Sequence, residues 1–227
     1  MKQLQIFCDF DGTVTATDNI VAIMKRFAPE QSSPIIKDVL DKKIAIKDGV
    51  EKMFALLPSS KKEEIIRFLQ DNAVIRDGFE QFMNYVRKNE IPFHIVSGGI
   101  DFFVHPMLKP YGPFTSIYCN SSNFDNEQIQ VEYPNVCDEQ CTNFESQACG
   151  CCKPTIIRKH TPIASDYFNI VIGDSVTDFE AAKNANLVIA RDLLIENCKK
   201  NNIPYKPFDT FEDCILIIES LLEENHS

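Results

Sequence analysis

The sequence predicts an α/β protein: a Rossmann-like parallel sheet core with a small inserted helical cap domain. Three observations carry this. Short apolar runs recur and end in acids, a hydroxyl or glycines: Ile6–Phe10 before Asp11-Gly12, Pro92–Val96 before Ser97-Gly98-Gly99, and Phe168–Ile172 before Gly173-Asp174. Strand and helix patterns alternate in the later chain, which implies parallel strands joined by right-handed crossovers. Residues 15–76 carry helical periodicity with no strand among them. The expected division is therefore a core of residues 1–14 and 77–227 and a helical cap of residues 15–76.

Taken in order, the first run reads as a buried strand ending in a loop. Asp9 and Asp11 lie two residues apart and point the same way from its end, and Gly12 lets the backbone approach a ligand. In the cap, Ile20, Val21, Ile23, Met24 and Phe27 recur at helical spacing, as do Ile46, Val50, Met53, Phe54 and Leu57. Ser60-Lys61-Lys62-Glu63 reads as a capping box opening a helix striped by Ile65, Ile66, Phe68 and Leu69, while Pro29, Pro34 and Pro58 mark breaks. Asp77-Gly78 starts a helix with Phe79, Phe82, Met83 and Val86 on one face. A helix over 100–108 and a strand over 116–120 follow. Gln128–Tyr133 alternates as a half-exposed strand, pairing in a hairpin across Asp125-Asn126. Thr177 with Glu180 resembles a second capping box, Leu187–Ala190 is a buried strand, and Phe211–Leu222 a final helix capped by Asp209 or Thr210.

The 23 basic and 33 acidic residues give a net charge of −10, which argues against a nucleic-acid partner. No apolar stretch approaches the roughly 20 residues of a membrane span, and Leu4–Phe10 is too short for a signal peptide. A cytoplasmic protein without membrane partners is expected, a monomer or homodimer. Nine cysteines in a chain of 227 residues then read as reduced thiols or metal ligands more readily than as a disulfide framework. Five are close together: Cys137, Cys141, Cys149, Cys151 and Cys152. Thiolates at such spacing suit a structural Zn²⁺, although the extra cysteine between Cys149 and Cys152 blurs the ligand set.

The residues ending the runs share one chemistry. In an open parallel sheet, ligands bind at the carboxyl ends of the strands, where Asp9, Asp11, Ser97 and Asp174 all fall. Lys153, just before Pro154 at a helix start, leans over the same edge. Asp9 and Asp174 are hard oxygen donors suited to Mg²⁺, and Lys153 is a point charge able to offset Asp9 and hold a phosphoryl oxygen. Ser97 and the N–H groups of Gly12 and Gly98 are donors for such a group. Together these donors and cations suit an anionic, oxygen-bearing ligand.

The ordered set Asp9-Phe10-Asp11-Gly12-Thr13, Ser97, Lys153, Gly173-Asp174-Ser175-Val176-Thr177-Asp178 resembles the four motifs of the haloacid dehalogenase superfamily of phosphatases. The resemblance implies a small phosphate ester as substrate, an Asp9 nucleophile, an Asp11 acid and base, and Mg²⁺ held by Asp9, the Asp11 backbone carbonyl and Asp174, with Asp178 orienting water or binding the metal. Longer blocks, Asp18-Asn19-Ile20, Met53–Ser60, Ser97–Phe103 and Cys149–Pro154, extend it to the branch serving methionine salvage. A phosphoserine phosphatase shares the architecture, and a non-catalytic phosphometabolite sensor is the reading from another class. Met24, Phe27, Met53 and Phe54 would suit a methylthio group, yet their helical spacing is that of core residues.

Overall fold

A computed structural model of the chain describes residues 3–143, 145–161 and 167–224. Strand β1 (Gln3–Cys8) leads into four helices, α1 (Asn19–Phe27), α2 (Pro29–Leu40), α3 (Ile46–Phe54) and α4 (Lys62–Asn72). The chain returns through α5 (Phe79–Lys88) to β2 (Phe93–Ile100), α6 (Asp101–Leu108), β3 (Ser116–Asn123) and β4 (Gln130–Glu132). After a long loop come α7 (Lys153–His160), β5 (Tyr167–Gly173), the short α8 (Phe179–Ala182), β6 (Leu187–Ala190), α9 (Asp192–Asn201), β7 (Tyr205–Pro207) and α10 (Phe211–Glu224).

The strands form one seven-stranded sheet in the order β4-β3-β2-β1-β5-β6-β7. Only β4 runs antiparallel, in the expected hairpin with β3. Leu4, Ile6, Phe7 and Cys8 of β1 are all buried, as a central parallel strand covered on both faces requires. One face packs α5 and α10 through Phe79, Phe82, Phe93 and Phe211, whose rings meet edge-on or tilted at 4.9–6.4 Å. Across the other face Phe7, Val96 and Val171 meet Ile156 and Ile157 of α7.

Helices α1–α4 hold no strand and share the larger core through Ile23, Met24, Phe54 and Ile65, with Phe54 edge-on to Phe102 of α6 at 6.1 Å. Met24, Met53 and Phe54 are buried core residues, while Phe27 is partly buried against Phe68. The two crossings into this unit lie side by side: Thr15 bridges Ile75 antiparallel, Ala16 N–H donates to Val74 O at 2.8 Å and Arg76 N–H to Val14 O at 2.8 Å. The unit also touches the β3–β4 hairpin, where Ser59 N–H donates to Glu127 O at 2.7 Å and Ile129 N–H to Leu57 O at 3.0 Å.

Several local expectations are corrected. Pro34 lies inside α2, whose first turn is opened by Pro29. Ser60 and Glu63 form no capping box, because a tight turn over 59–61 shifts the helix start to Lys62. The box expected at Thr177 and Glu180 sits two residues earlier, where Ser175 and Asp178 cap each other. The final helix starts with Asp213 reaching back to accept the N–H groups of Asp209 and Thr210 at 2.9 Å each.

Candidate active site

The chain leaves β1 toward β2 and comes back on the far side of β1 as β5, so the carboxyl end of β1 is the switch point where an open sheet presents a crevice. Asp9 is the first residue past that end. The turn over 10–14 then passes close to the β5 loop. Gly12 has φ +86°, and a Cβ there would come within 2.5 Å of Asp174 Oδ2. Thr13 Oγ1 donates to Asp174 Oδ1 at 2.7 Å. Arg76 braces the turn from below, donating from Nη2 to Gly12 O at 2.6 Å and from Nε to Thr13 O at 2.7 Å.

Lys153, buried at the start of α7, places Nζ 2.7 Å from Asp9 Oδ1, 2.7 Å from Asp178 Oδ1 and 3.2 Å from Thr177 Oγ1, which uses all three of its protons. The other oxygen of Asp178 accepts the N–H groups of Asp174 and Ser175, both at 3.1 Å. Asp178 thus ties the β5 loop to the lysine. Asp9, Asp174 and Asp178 each bring an oxygen within 4.8 Å of the others. Three carboxylates around a single ammonium leave the cluster short of positive charge. Burial pushes Asp9 well above the usual carboxylate range; Lys153 opposes this, and Asp178 and Asp174 add to it. Burial, then Asp178, raises Asp174 to about 6. Burial alone would lower the lysine, but Asp178 and Asp9 hold it well above its ordinary value. Hard oxygen donors lacking a counter-charge fit Mg²⁺.

Asp11 occupies a different setting. Its Oδ1 accepts Asn19 N–H at 3.1 Å and Asn19 Nδ2 at 2.7 Å, and its Oδ2 accepts the Ser97 hydroxyl at 3.2 Å. Burial, and next the charge of Asp18, push its carboxyl up to about 7 against those hydrogen bonds. Ser97 Oγ in turn accepts Gly99 N–H at 2.8 Å. Gly99 must lack a side chain, since a Cβ would stand 2.7 Å from Asp11 Oδ2. The Gly98 carbonyl takes Asn120 Nδ2 at 2.8 Å, and the space around its missing Cβ is open. Gly12 N–H has one weak partner, Thr15 Oγ1 at 3.4 Å.

The fold therefore gathers Asp9, Asp11, Gly12, Ser97, Lys153, Asp174 and Asp178 at one sheet edge. Sequence reasoning gave no role to Arg76 or Asn19. Asn19 appeared only within the Asp18-Asn19-Ile20 block of the resemblance, and Arg76 binds carbonyl groups, which every residue carries. Among the cysteines, Cys137, Cys141, Cys149 and Cys152 converge, each offering a sulfur within 4.8 Å of the others. Cys151 does not belong with them: it turns the opposite way and packs on Phe7, Val96 and Ile156.

A haloacid dehalogenase-like hydrolase family model matches residues 6–183. The chain belongs to the haloacid dehalogenase-like hydrolases. Within this family it is similar to proteins named 2-hydroxy-3-keto-5-methylthiopentenyl-1-phosphate phosphatase. That of Lysinibacillus sphaericus (strain C3-41) is 51% identical over 222 residues, 98% of this chain and 96% of the relative. That of Geobacillus thermodenitrificans (strain NG80-2) is 47% identical over 214 residues, 94% of each. Among solved structures, a phospho-aspartyl intermediate analogue of phosphoserine phosphatase superposes with TM-score 0.70 at 20% identity, covering 95% of this chain and 98% of that one. A substrate-bound phosphoserine phosphatase gives TM-score 0.71 at 20% identity, covering 96% and 98%. At that identity the likeness concerns the hydrolase fold alone. Among the described residues no helix is long and apolar enough to cross a membrane.

Proposed function

We propose that this hydrolase converts 2-hydroxy-3-keto-5-methylthiopentenyl-1-phosphate to 1,2-dihydroxy-3-keto-5-methylthiopentene and phosphate through an aspartyl-phosphate, as a cytoplasmic step of methionine salvage. The names of relatives 46–51% identical over nearly the whole chain support the substrate. The observation that carries the reaction is the pair of aspartates at the end of β1: Asp9 beside the Lys153 ammonium, and Asp11 in a half-buried setting that raises its carboxyl to about 7.

An oxygen of Asp9 attacks phosphorus in line, forming a P–O bond as the ester P–O bond breaks. Asp11 donates its proton to the departing enol oxygen. It then takes a proton from water, whose oxygen attacks phosphorus and releases Asp9. Lys153, which exchanges its Thr177 contact for substrate, and the Gly12 and Gly98 N–H groups hold the phosphoryl oxygens, and the Ser97 hydroxyl, which donates to Asp11 Oδ2 before substrate binds, is the further donor that substrate recruits. Asp9, Asp174 and the Asp11 backbone carbonyl would hold Mg²⁺, which when bound supplies the positive charge the cluster lacks. Asp178, with both oxygens engaged, acts by positioning Lys153 and the β5 loop. Residues 15–76 form the cap that shelters the reacting groups from water, resting on the β3–β4 hairpin.

The test is Mg²⁺-dependent phosphate release from the methylthio enol phosphate, generated in place by the enzyme that precedes it, against phosphoserine at matched concentration. A kcat/KM higher by about 10²-fold or more for the enol phosphate is expected from a site that reads the whole substrate. Preference for phosphoserine would overturn the substrate and keep the chemistry.

A further inference from the structure

Beside the active site lies a second cluster that the phosphatase reaction does not use. We propose that Cys137, Cys141, Cys149 and Cys152 bind one structural Zn²⁺ as a closed tetrathiolate site, and that this site fixes the start of α7 and with it Lys153. The sulfurs are close enough to share one tetrahedral ion. Cys141 Sγ lies 3.8 Å from Cys149 Sγ and 3.6 Å from Cys152 Sγ, and all four sulfurs fall within 4.8 Å of one another. A Zn–S bond of about 2.3 Å requires tetrahedron edges of about 3.8 Å.

The surroundings point the same way. Two chelating pairs, Cys137-x-x-x-Cys141 and Cys149-x-x-Cys152, match the spacing of structural sites once Cys151 is removed from the set. Cys137, Cys141 and Cys152 are buried, and among the described residues the apolar cluster they form with Cys149 contains no other apolar side chain. Among the described residues, these cysteines are thus the apolar cluster around which the loop over 133–152 is built, and that loop contains no helix or strand there. A loop of that length needs a staple or a function. Polar groups surround the sulfurs as they surround bound thiolates: Asn143 Nδ2 donates to Cys149 Sγ at 3.3 Å, and Thr155 Oγ1 lies 3.1 Å from Cys152 Sγ. Thr155 Oγ1 also accepts Asp138 N–H at 3.0 Å, and Arg158 pairs through Nε with Asp138 Oδ2 at 3.0 Å, so the loop is knitted to α7. Sulfur ligands select Zn²⁺ where the carboxylates nearby select Mg²⁺.

Binding needs no oxidant. Each cysteine that is a thiol gives its proton to solvent as its S–Zn bond forms, and no electrons move. Cys152 immediately precedes Lys153, and its carbonyl accepts Ile156 N–H at 3.1 Å in the first turn of α7. Holding the Cys152 sulfur therefore holds the turn from which Lys153 reaches Asp9 and Asp178; this part rests on the phosphatase reading.

The experiment is elemental analysis of the full chain purified without chelator. About one zinc per chain is expected, retained in Asp9→Asn, Asp174→Asn and Cys151→Ser, and lost from Cys141→Ser and Cys149→Ser. Retention in the two aspartate variants assigns the ion to sulfur and does not depend on any activity. Should the serine variants fail to fold, Co²⁺ exchanged into the wild-type protein reports directly, through thiolate-to-cobalt charge-transfer absorption. Wild-type protein that holds less than about a tenth of one zinc per chain after incubation with Zn²⁺, and gives no such absorption with Co²⁺, overturns the site. For the link to Lys153, stripping zinc from folded wild-type protein in the presence of Mg²⁺ is expected to lower kcat about tenfold, restored by adding Zn²⁺. Unchanged turnover in zinc-free, folded protein overturns the link and leaves the site.

Discussion

The carboxylates around Lys153 and the thiols around Cys152 meet at one peptide bond, yet they are assembled in opposite ways. Asp9 comes from the end of β1, Lys153 from the start of α7, and Asp174 and Asp178 from the loop after β5, so that cluster exists only when distant segments have joined one sheet. The thiols all come from residues 137–152. The first cluster carries buried charge in excess of its counter-charge, a state suited to receiving a cation and an anionic ester. The second consists of side chains that pack as small apolar groups until a soft ion takes them. A site that must change its occupants is drawn from the scaffold, whereas one that only holds a loop can be made within that loop.

Substitutions can break this contrast, beginning with the largest effect. Asp9→Asn removes the nucleophile and should lower kcat by about 10⁴-fold or more, with the fold and the zinc content retained. Substantial phosphate release by that folded variant would mean Asp9 only binds. Asp11→Asn leaves the carboxylate cluster and Lys153 in place but removes the proton donor, and should cost about 10²- to 10⁴-fold in kcat. A change of only a few-fold would reduce Asp11 to a support for the turn.

Arg76→Met tests whether the long-range cluster depends on its brace. It frees the carbonyls of Gly12 and Thr13, and about 10²-fold in kcat should be lost through displacement of the turn, with the thiol site untouched. The smallest effect concerns neither cluster but the far end of α7, where His94 stacks on Phe7 at 4.9 Å, faces His160 and shares Ser116 Oγ at 2.7 Å. Burial, and next the nearby His160, lower His94 to about 4. The unfolded chain then binds more protons than the folded one below about pH 6.5, so this contribution to stability is complete above that pH and is lost as pH falls toward 4. Between pH 7 and 5, the wild type should lose on the order of 1 kcal/mol more stability than His94→Gln, as read by denaturant melts. Parallel pH curves would remove His94 from the account.

Much of the site was legible because its residues end apolar runs, and the end of a parallel strand is where a ligand sits. Lys153 was readable from Pro154 after it. Other features depended on partners that sequence does not display. Whether Thr177 or Ser175 caps the β5 loop depends on which carboxylate Lys153 holds, and that is a contact between distant segments. Strand β7 is three residues long, ends in Pro207 and lies at the sheet edge, so it carries no apolar pattern; α9 buries only Leu194 and Cys198. The position of Cys151 was hidden because spacing alone does not tell which of three adjacent side chains, Cys151, Cys152 or Lys153, turns toward the sheet.

The central place of β1 also has a consequence for synthesis. Its earliest residues become the middle of the sheet, but its partners in β5 and the lysine facing Asp9 come more than half a chain later. At roughly 5–20 residues per second, the emerging Asp9 waits on the order of ten seconds for Lys153. During that interval the apolar strand has no completed sheet to enter. The nascent chain is therefore most exposed to aggregation before Lys153 and β5 leave the ribosome, and slowing translation upstream of codon 153 should lower the yield of soluble protein more than slowing it downstream of codon 190.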